Sequence, residues 1–246
     1  MLRLTAVLAA LPAAVSCAGH GDEGSGGGAG TEAPVFGAPG NNLIITTDDG
    51  LRLRPTDGDR ATVDDRVEHR WSHRDHTWTL DLSCADRSPD GGPCPRMPRV
   101  GVPGGVGVTV TARNAGIDVA GIAAALDLTT VNGDVTVTRS GRGAAAVRLS
   151  THNGSVRTSA LAAGRLTGAT TNGDVVLACV TAPSGVTATT TNGSVDVTVP
   201  HDSPAYRVTA GTENGRATVA APARNTGRGP AMTLTTVNGD VDVRRD

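Results

Sequence analysis

Six times between residues 130 and 241 the chain repeats one phrase, Thr-x-Asn-Gly followed by a polar and then an apolar residue. The copies run Thr130 to Val135, Thr151 to Val156, Thr170 to Val175, Thr190 to Val195, Thr212 to Ala217 and Thr236 to Val241, with their asparagines 19 to 24 residues apart. A degenerate copy, Ala112-Arg113-Asn114-Ala115-Gly116-Ile117, begins the array. A period of this length means that one short unit is stacked many times, because no single unit can bury its own apolar face.

Aligning the copies on asparagine exposes what each unit buries. Six residues before it stand Leu126, Val147, Leu166, Val186, Val208 and Met232, and five after it stand Val137, Thr158, Leu177, Val197, Val219 and Val243. Alternation of this kind turns one side of a strand inward. Each unit therefore reads as strand, Asn-Gly corner, strand, with corners at Asn132-Gly133, Asn153-Gly154, Asn172-Gly173, Asn192-Gly193, Asn214-Gly215 and Asn238-Gly239. Asn and Gly both tolerate positive φ, so the pair turns the backbone at small steric cost. Only 2% of residues are aromatic, so Val, Leu, Ala and Thr must fill the core, as suits stacked strands.

Two all-β architectures accommodate the phrase: a right-handed β-solenoid of parallel coils, or an antiparallel hairpin array closing into a sandwich. Side-chain parity is the same in both. The recurrence of Thr two residues before every Asn favours the solenoid, since stacked coils align equivalent Thr and Asn side chains about 4.8 Å apart in hydrogen-bonded ladders.

The N-terminus reads as an export signal. Arg3 precedes an apolar run from Leu4 to Val15, too short for a permanent membrane span, and Ala14-Val15-Ser16-Cys17 resembles a bacterial lipobox. The expected organisation is a signal peptide over 1–16, a lipidated Cys17 and flexible Gly-rich linker over 17–40, a β region over 41–104, and the Asn-Gly repeat over 105–246. Export permits disulfides. Cys84 and Cys94 bracket a Pro/Gly/Asp-rich loop and are expected to pair, while Cys179, alternating with Val175 and Leu177, is expected to be a buried small hydrophobe.

Recurrent T-x-N-G-[DS]-V phrases behind a lipobox-like leader resemble a bacterial adhesin-like domain family of unknown function. The resemblance covers about Val100 to the C-terminus well, and the segment from Leu43 more loosely. It implies a β-solenoid in a cell-envelope protein and supplies no catalytic residues to carry over.

Ahead of the repeats, Leu43 to Arg54 and Arg66 to Leu82 alternate around polar intervals and read as hairpins or irregular first coils that cap the stack, with Trp71 and Trp78 covering its apolar end. His69, His73 and His76 lie close in sequence, but His69 and His73 on one strand would be about 13 Å apart, too far for one metal ion. Asp134, Asp174 and Asp240 alternate irregularly with Ser155, Ser194 and Arg216 at the same corner position and read as solvated turn residues. Asp118, Asp127, Asp196 and Asp242 show no pair of the kind glycoside hydrolysis requires. His152 and His201 lack a nucleophile-elbow motif, and the sequons at Asn153 and Asn192 are explained by the repeat.

No cofactor or metal is expected, and no nucleic-acid partner, because the formal charge is −2 and no basic aromatic patch is present. The expectation is a noncatalytic surface scaffold, held to a membrane through its lipid and contacting an envelope protein or polysaccharide. The alternatives are a carbohydrate-active enzyme on a β-helix and a plain spacer. Intact mass spectrometry of the chain from its native membrane should find a diacylglyceryl adduct on a product beginning at Cys17 that gains two protons on reduction. An unmodified, uncleaved chain would remove the anchor.

Overall fold

The computed structural model describes residues 33–36, 41–82, 97–224 and 228–246. Cys17, the Gly-rich linker and the Cys84–Cys94 pair lie outside the described residues. Nineteen strands make up the described chain. They are β1 (Asn42–Thr47), β2 (Leu51–Pro55), β3 (Thr62–Val63), β4 (Arg70–Arg74), β5 (Thr77–Leu82), β6 (Arg99–Val102), β7 (Gly107–Thr111), β8 (Ile117–Ala120), β9 (Leu126–Thr129) and β10 (Val135–Thr138). There follow β11 (Gly141–Ser150), β12 (Val156–Ala169), β13 (Val175–Cys179), β14 (Gly185–Thr189), β15 (Val195–Val199), β16 (Arg207–Asn214), β17 (Ala217–Val219), β18 (Ala231–Asn238) and β19 (Val241–Arg245).

The strands form two facing sheets of a solenoid. Sheet I runs β4-β5-β1-β7-β9-β11-β12-β14-β18-β16. Sheet II runs β3-β6-β2-β8-β10-β12-β13-β15-β19-β17. Every pairing between these strands is parallel except β4–β5 and β3–β6, which closes the hairpin-array alternative. The long β12 bends through a register shift between Thr158 and Leu161, where Ala160 takes φ 52°, and so serves both sheets.

Registers reproduce the alignment made on asparagine. Leu126, Val147, Leu166, Val186, Met232 and Val208 stack in one column, and Val137, Thr158, Leu177, Val197, Val243 and Val219 in the other. Most of these side chains are fully buried, so the core is a ladder of aliphatic rungs between the sheets. Thr158 is the polar rung, and its hydroxyl accepts from the Ala178 amide at 2.9 Å.

Spatial order departs from chain order at both ends. The final coil, β18/β19, lies between β14/β15 and β16/β17, and the first, β1/β2, lies between β5/β6 and β7/β8. One apolar core runs from Leu43 to Val243, so the stack continues unbroken across residue 105. Leu43 to Arg54 is a coil rather than a hairpin, since β1 and β2 belong to different sheets; Arg66 to Leu82 contains the hairpin β4–β5, turned by Asp75 and His76 at φ 46° and 62°. Trp71 is 1% exposed and meets Trp78 edge-on at 6.4 Å, and Phe36 also lies 6.4 Å from Trp78. The aromatics thus close the N-terminal end of the aliphatic core, as their positions suggested.

Within the corners the two residues divide the work differently from the sequence reading. The asparagines do not take positive φ; the glycines do, at 123° to 151° in Gly133, Gly154, Gly173, Gly193 and Gly239. A Cβ on Gly173 would also press into the carbonyl oxygen of Gly154 on the next coil. Gly173→Ala should therefore cost about 2–4 kcal/mol of stability in urea unfolding. Gly143→Ala, where a Cβ meets nothing within 4 Å and φ is not positive, should fall within about 0.5 kcal/mol of wild type.

Candidate interaction faces

Three hydrogen-bond ladders climb the Asn-Gly edge. The Nδ2 of Asn153 donates to Oδ1 of Asn132, and the pattern continues through Asn172, Asn192, Asn238 and Asn214 at 2.8–2.9 Å. Just inside, the hydroxyls of Thr151, Thr170, Thr190, Thr236 and Thr212 each donate at 2.8 Å to the glycine carbonyl of the neighbouring coil. This satisfies a carbonyl that the turn leaves without a backbone donor and accounts for the invariant Thr of the phrase.

The third ladder corrects the reading of the post-glycine residues as merely solvated. Asp134 accepts from the Ser155 amide at 2.7 Å, Asp174 from Ser194 at 2.9 Å and Asp240 from Arg216 at 2.8 Å. In return the Ser155 and Ser194 hydroxyls accept from the Asp174 and Asp240 amides at 3.3 and 3.2 Å. In space the column reads Asp134, Ser155, Asp174, Ser194, Asp240, Arg216, so no two carboxylates are stacked directly. Along the chain the last two are reversed. That break in alternation was the one signal in the sequence of the inverted coil order.

Two adjacent outward columns of sheet I are rich in small hydroxyls, beside a third that holds Arg165 and Arg207. One column holds Thr109, Asp127, Arg148, Thr167, Thr187, Thr233 and Thr209; the next holds Thr111, Thr129, Ser150, Ala169, Thr189, Thr235 and Gly211. Parallel pairing sets the repeat at about 4.8 Å along the stack and about 6.6 Å along each strand.

Sheet II presents charges instead. Arg54 meets Asp118 at 2.7 Å, Arg157 meets Asp134 at 3.1 Å and Arg244 meets Asp196 at 2.8 Å. All are substantially exposed, so each contributes about 0–1 kcal/mol. Asp196 and Asp242, which show no pairing in the sequence, are register neighbours because β19 lies beside β15. Asp118 and Asp127 lie on opposite sheets.

At the N-terminal end Ser72, His73, Arg74 and Thr79 line an open depression of about 320 Å³. The three nearby histidines have separate surroundings: His69 Nδ1 lies 3.0 Å from the Val67 carbonyl, the His73 ring lies 4.5 Å from that of Trp78, and His76 is in the turn. Among the described residues no group of three His, Cys, Asp or Glu side chains is placed to hold a metal. His152 Nδ1 lies 3.0 Å from the Thr171 hydroxyl on the exposed corner edge. Cys179 is a free, buried thiol, and burial pushes its pKa up to about 12, so it stays protonated and unreactive at neutral pH. Burial likewise raises the Tyr206 phenol. No helix among the described residues is long and apolar enough to cross a membrane.

Residues 104–244, more than half of the sequence, match the Toastrack DUF4097 family. The chain belongs to this family. No curated protein matches the sequence. The chain is similar to the crystal structure of a "putative cell adhesion protein" from Clostridium sporogenes, with 7% identity and a TM-score of 0.38 over 90% of this chain and 100% of that one. The matched region of the Toastrack chain contains all six full repeats, their three ladders and the hydroxyl face.

The alternating column can be broken by one substitution. Ser194→Asp, placing a third carboxylate between Asp174 and Asp240, should lower stability by about 1 kcal/mol, and by more at low ionic strength. Denaturant melts at two salt concentrations measure both effects.

Proposed function

We propose that the chain is a noncatalytic, lipid-anchored scaffold at the cell surface with an adhesin-like role, and that it engages an envelope polysaccharide through the hydroxyl face of sheet I. The observation that carries this reading is the continuity of two adjacent columns of that face: from β12 to β16 they hold Thr167, Ala169, Thr187, Thr189, Thr233, Thr235, Thr209 and Gly211, uncharged and flanked by Arg165, Arg207 and Glu213. Each Thr offers a donor, an acceptor and a methyl group at regular intervals, and a repeating polymer can meet many such weak contacts together. Rigidity matters here because a face fixed by the core loses little entropy on binding.

The sheet II carboxylates supply less support for a hydrolytic role. Asp196 and Asp242 stand on an open strand face, and Arg244 already holds Asp196 at 2.8 Å. Glycoside cleavage needs two carboxyls flanking a bound sugar, one of them kept protonated.

Pull-down on purified envelope polysaccharide tests the reading. Thr187→Arg and Thr233→Arg, at exposed positions of neighbouring strands, should each weaken binding about tenfold or more through lost fit and desolvation. Thr136→Arg on sheet II should leave it unchanged. Equal binding by all three variants would remove the hydroxyl face from the function.

A further inference from the structure

The six Asn-Gly corners are alike in sequence but not in what holds them. Going outward along the stack, the amide of each corner glycine donates to the asparagine carbonyl of the next coil: Gly133 to Asn153, Gly154 to Asn172, Gly173 to Asn192, Gly193 to Asn238 and Gly239 to Asn214, at 2.8–3.0 Å. Gly215 ends the series, and among the described residues its amide has no acceptor. Its backbone differs as well, since the five inner corner glycines take positive φ and Gly215 does not. Asn214, Gly215 and Arg216 are all exposed, whereas the five inner glycines are half-buried. The segment that covers part of this outer coil bonds to Tyr206, at the opposite end of β16, and leaves the Asn214 corner open.

We propose that Asn214 is a modification site, the one corner of the six at which the folded chain deamidates. The backbone nitrogen of Gly215 loses its proton and attacks Cγ of the Asn214 side chain; the N–Cγ bond forms, the Cγ–Nδ2 bond breaks and Nδ2 leaves as ammonia. Water then opens the resulting succinimide at either carbonyl, giving aspartate or isoaspartate, with no oxidant or enzyme required. Glycine at the attacking position offers no side chain to obstruct the ring. The nitrogen must swing out of its place in the corner to reach Cγ. In an inner corner that motion breaks the hydrogen bond to the next coil, and the site reacts only when the stack opens locally. At Gly215 there is no such bond to break.

The side chains of the ladder point the same way. Asn153, Asn172, Asn192 and Asn238 each donate through Nδ2 to one neighbour and accept through Oδ1 from another, so both ends of the amide are held. Asn214 donates to Asn238 Oδ1 at 2.9 Å, and among the described residues nothing donates to its own Oδ1. Asn132, at the other end of the ladder, is the internal control: its side chain also has a single rung, but the amide of Gly133 is held by Asn153 at 2.8 Å. The glycine amide therefore separates Asn214 from all five others. The product acts on the last coil. A carboxylate at position 214 cannot donate to Asn238 Oδ1, which leaves two acceptors facing each other, and isoaspartate adds a backbone carbon between β16 and β17. Both changes loosen β16 and β17 from β18 and β19 and leave the inner coils in place.

Peptide mapping by mass spectrometry of the purified full chain, incubated at mildly alkaline pH for increasing times, tests the site. Cleavage after Arg207 and Arg216 releases Asn214 in a peptide of its own, and fragmentation assigns the other five asparagines and distinguishes isoaspartate from aspartate. In the folded chain Asn214 should convert about tenfold faster or more than Asn132, Asn153, Asn172, Asn192 and Asn238, the factor set by how rarely the inner corners open. In guanidinium chloride, which releases the ladder, all six should convert at similar rates. Amide hydrogen exchange gives an independent reading: Gly215 should exchange fast and the five inner corner glycines slowly. Equal rates in the folded chain, an inner corner that leads, a lead of Asn214 that persists undiminished in guanidinium chloride, or a Gly215 amide as protected as that of Gly239 would each overturn the proposal.

Discussion

Everything in this molecule rests on the close approach of one Asn-Gly corner to the next. The glycine carbonyl of each coil lies where a Cβ on its neighbour would sit, and the adjacent Thr hydroxyl donates to that carbonyl at 2.8 Å. Parallel strands have no tight reversal to fix their register, and a slip by one residue would turn every buried side chain outward. Here the corner fixes it. Asn and the post-glycine residue bond to their counterparts one coil away and Thr donates to the neighbouring coil's glycine carbonyl, so sliding a coil breaks all three ladders at once.

With register fixed, a core almost without aromatic residues becomes possible. Aliphatic side chains of similar size stack on one another in two columns, and the few large rings are kept for the N-terminal end. The two sheets then diverge in what they show to solvent. Sheet II carries opposed charges in loose pairs, while sheet I from β12 onward carries hydroxyls and methyls at regular intervals. The faces suit different contacts because both are rigid and neither is a cleft.

Much of this was legible in the chain. The phrase fixed the corners, the apolar positions around it became the columns Leu126 to Val208 and Val137 to Val219, and Trp71 and Trp78 were found at the end they were expected to cover. The invariant Thr, which a hairpin turn does not require, favoured the solenoid over the hairpin array. Less was legible about interaction faces. Outward Thr residues on a strand look like ordinary β-propensity until the registers show that they align from coil to coil. Asp196 and Asp242 are 46 residues apart in sequence and became neighbours only through the placement of the last coil.

The sequence alone determined the repeating unit, its corner chemistry and its buried columns, because each depends on contacts between equivalent positions of adjacent coils. Tertiary structure alone decided which coils are adjacent. Every coil carries nearly the same edge, so pairing energy scarcely distinguishes β14–β16 from β14–β18, and the choice falls to differences at the margins. The alternation of Asp and Ser is kept when Asp240 follows Ser194, and Arg216, Glu213 and exposed Val219 stand on the coil that, among the described residues, has no further coil outside it. The physical reason is that the outermost coil keeps one side open, so charged Arg216 and Glu213 lose less hydration there than they would between two coils.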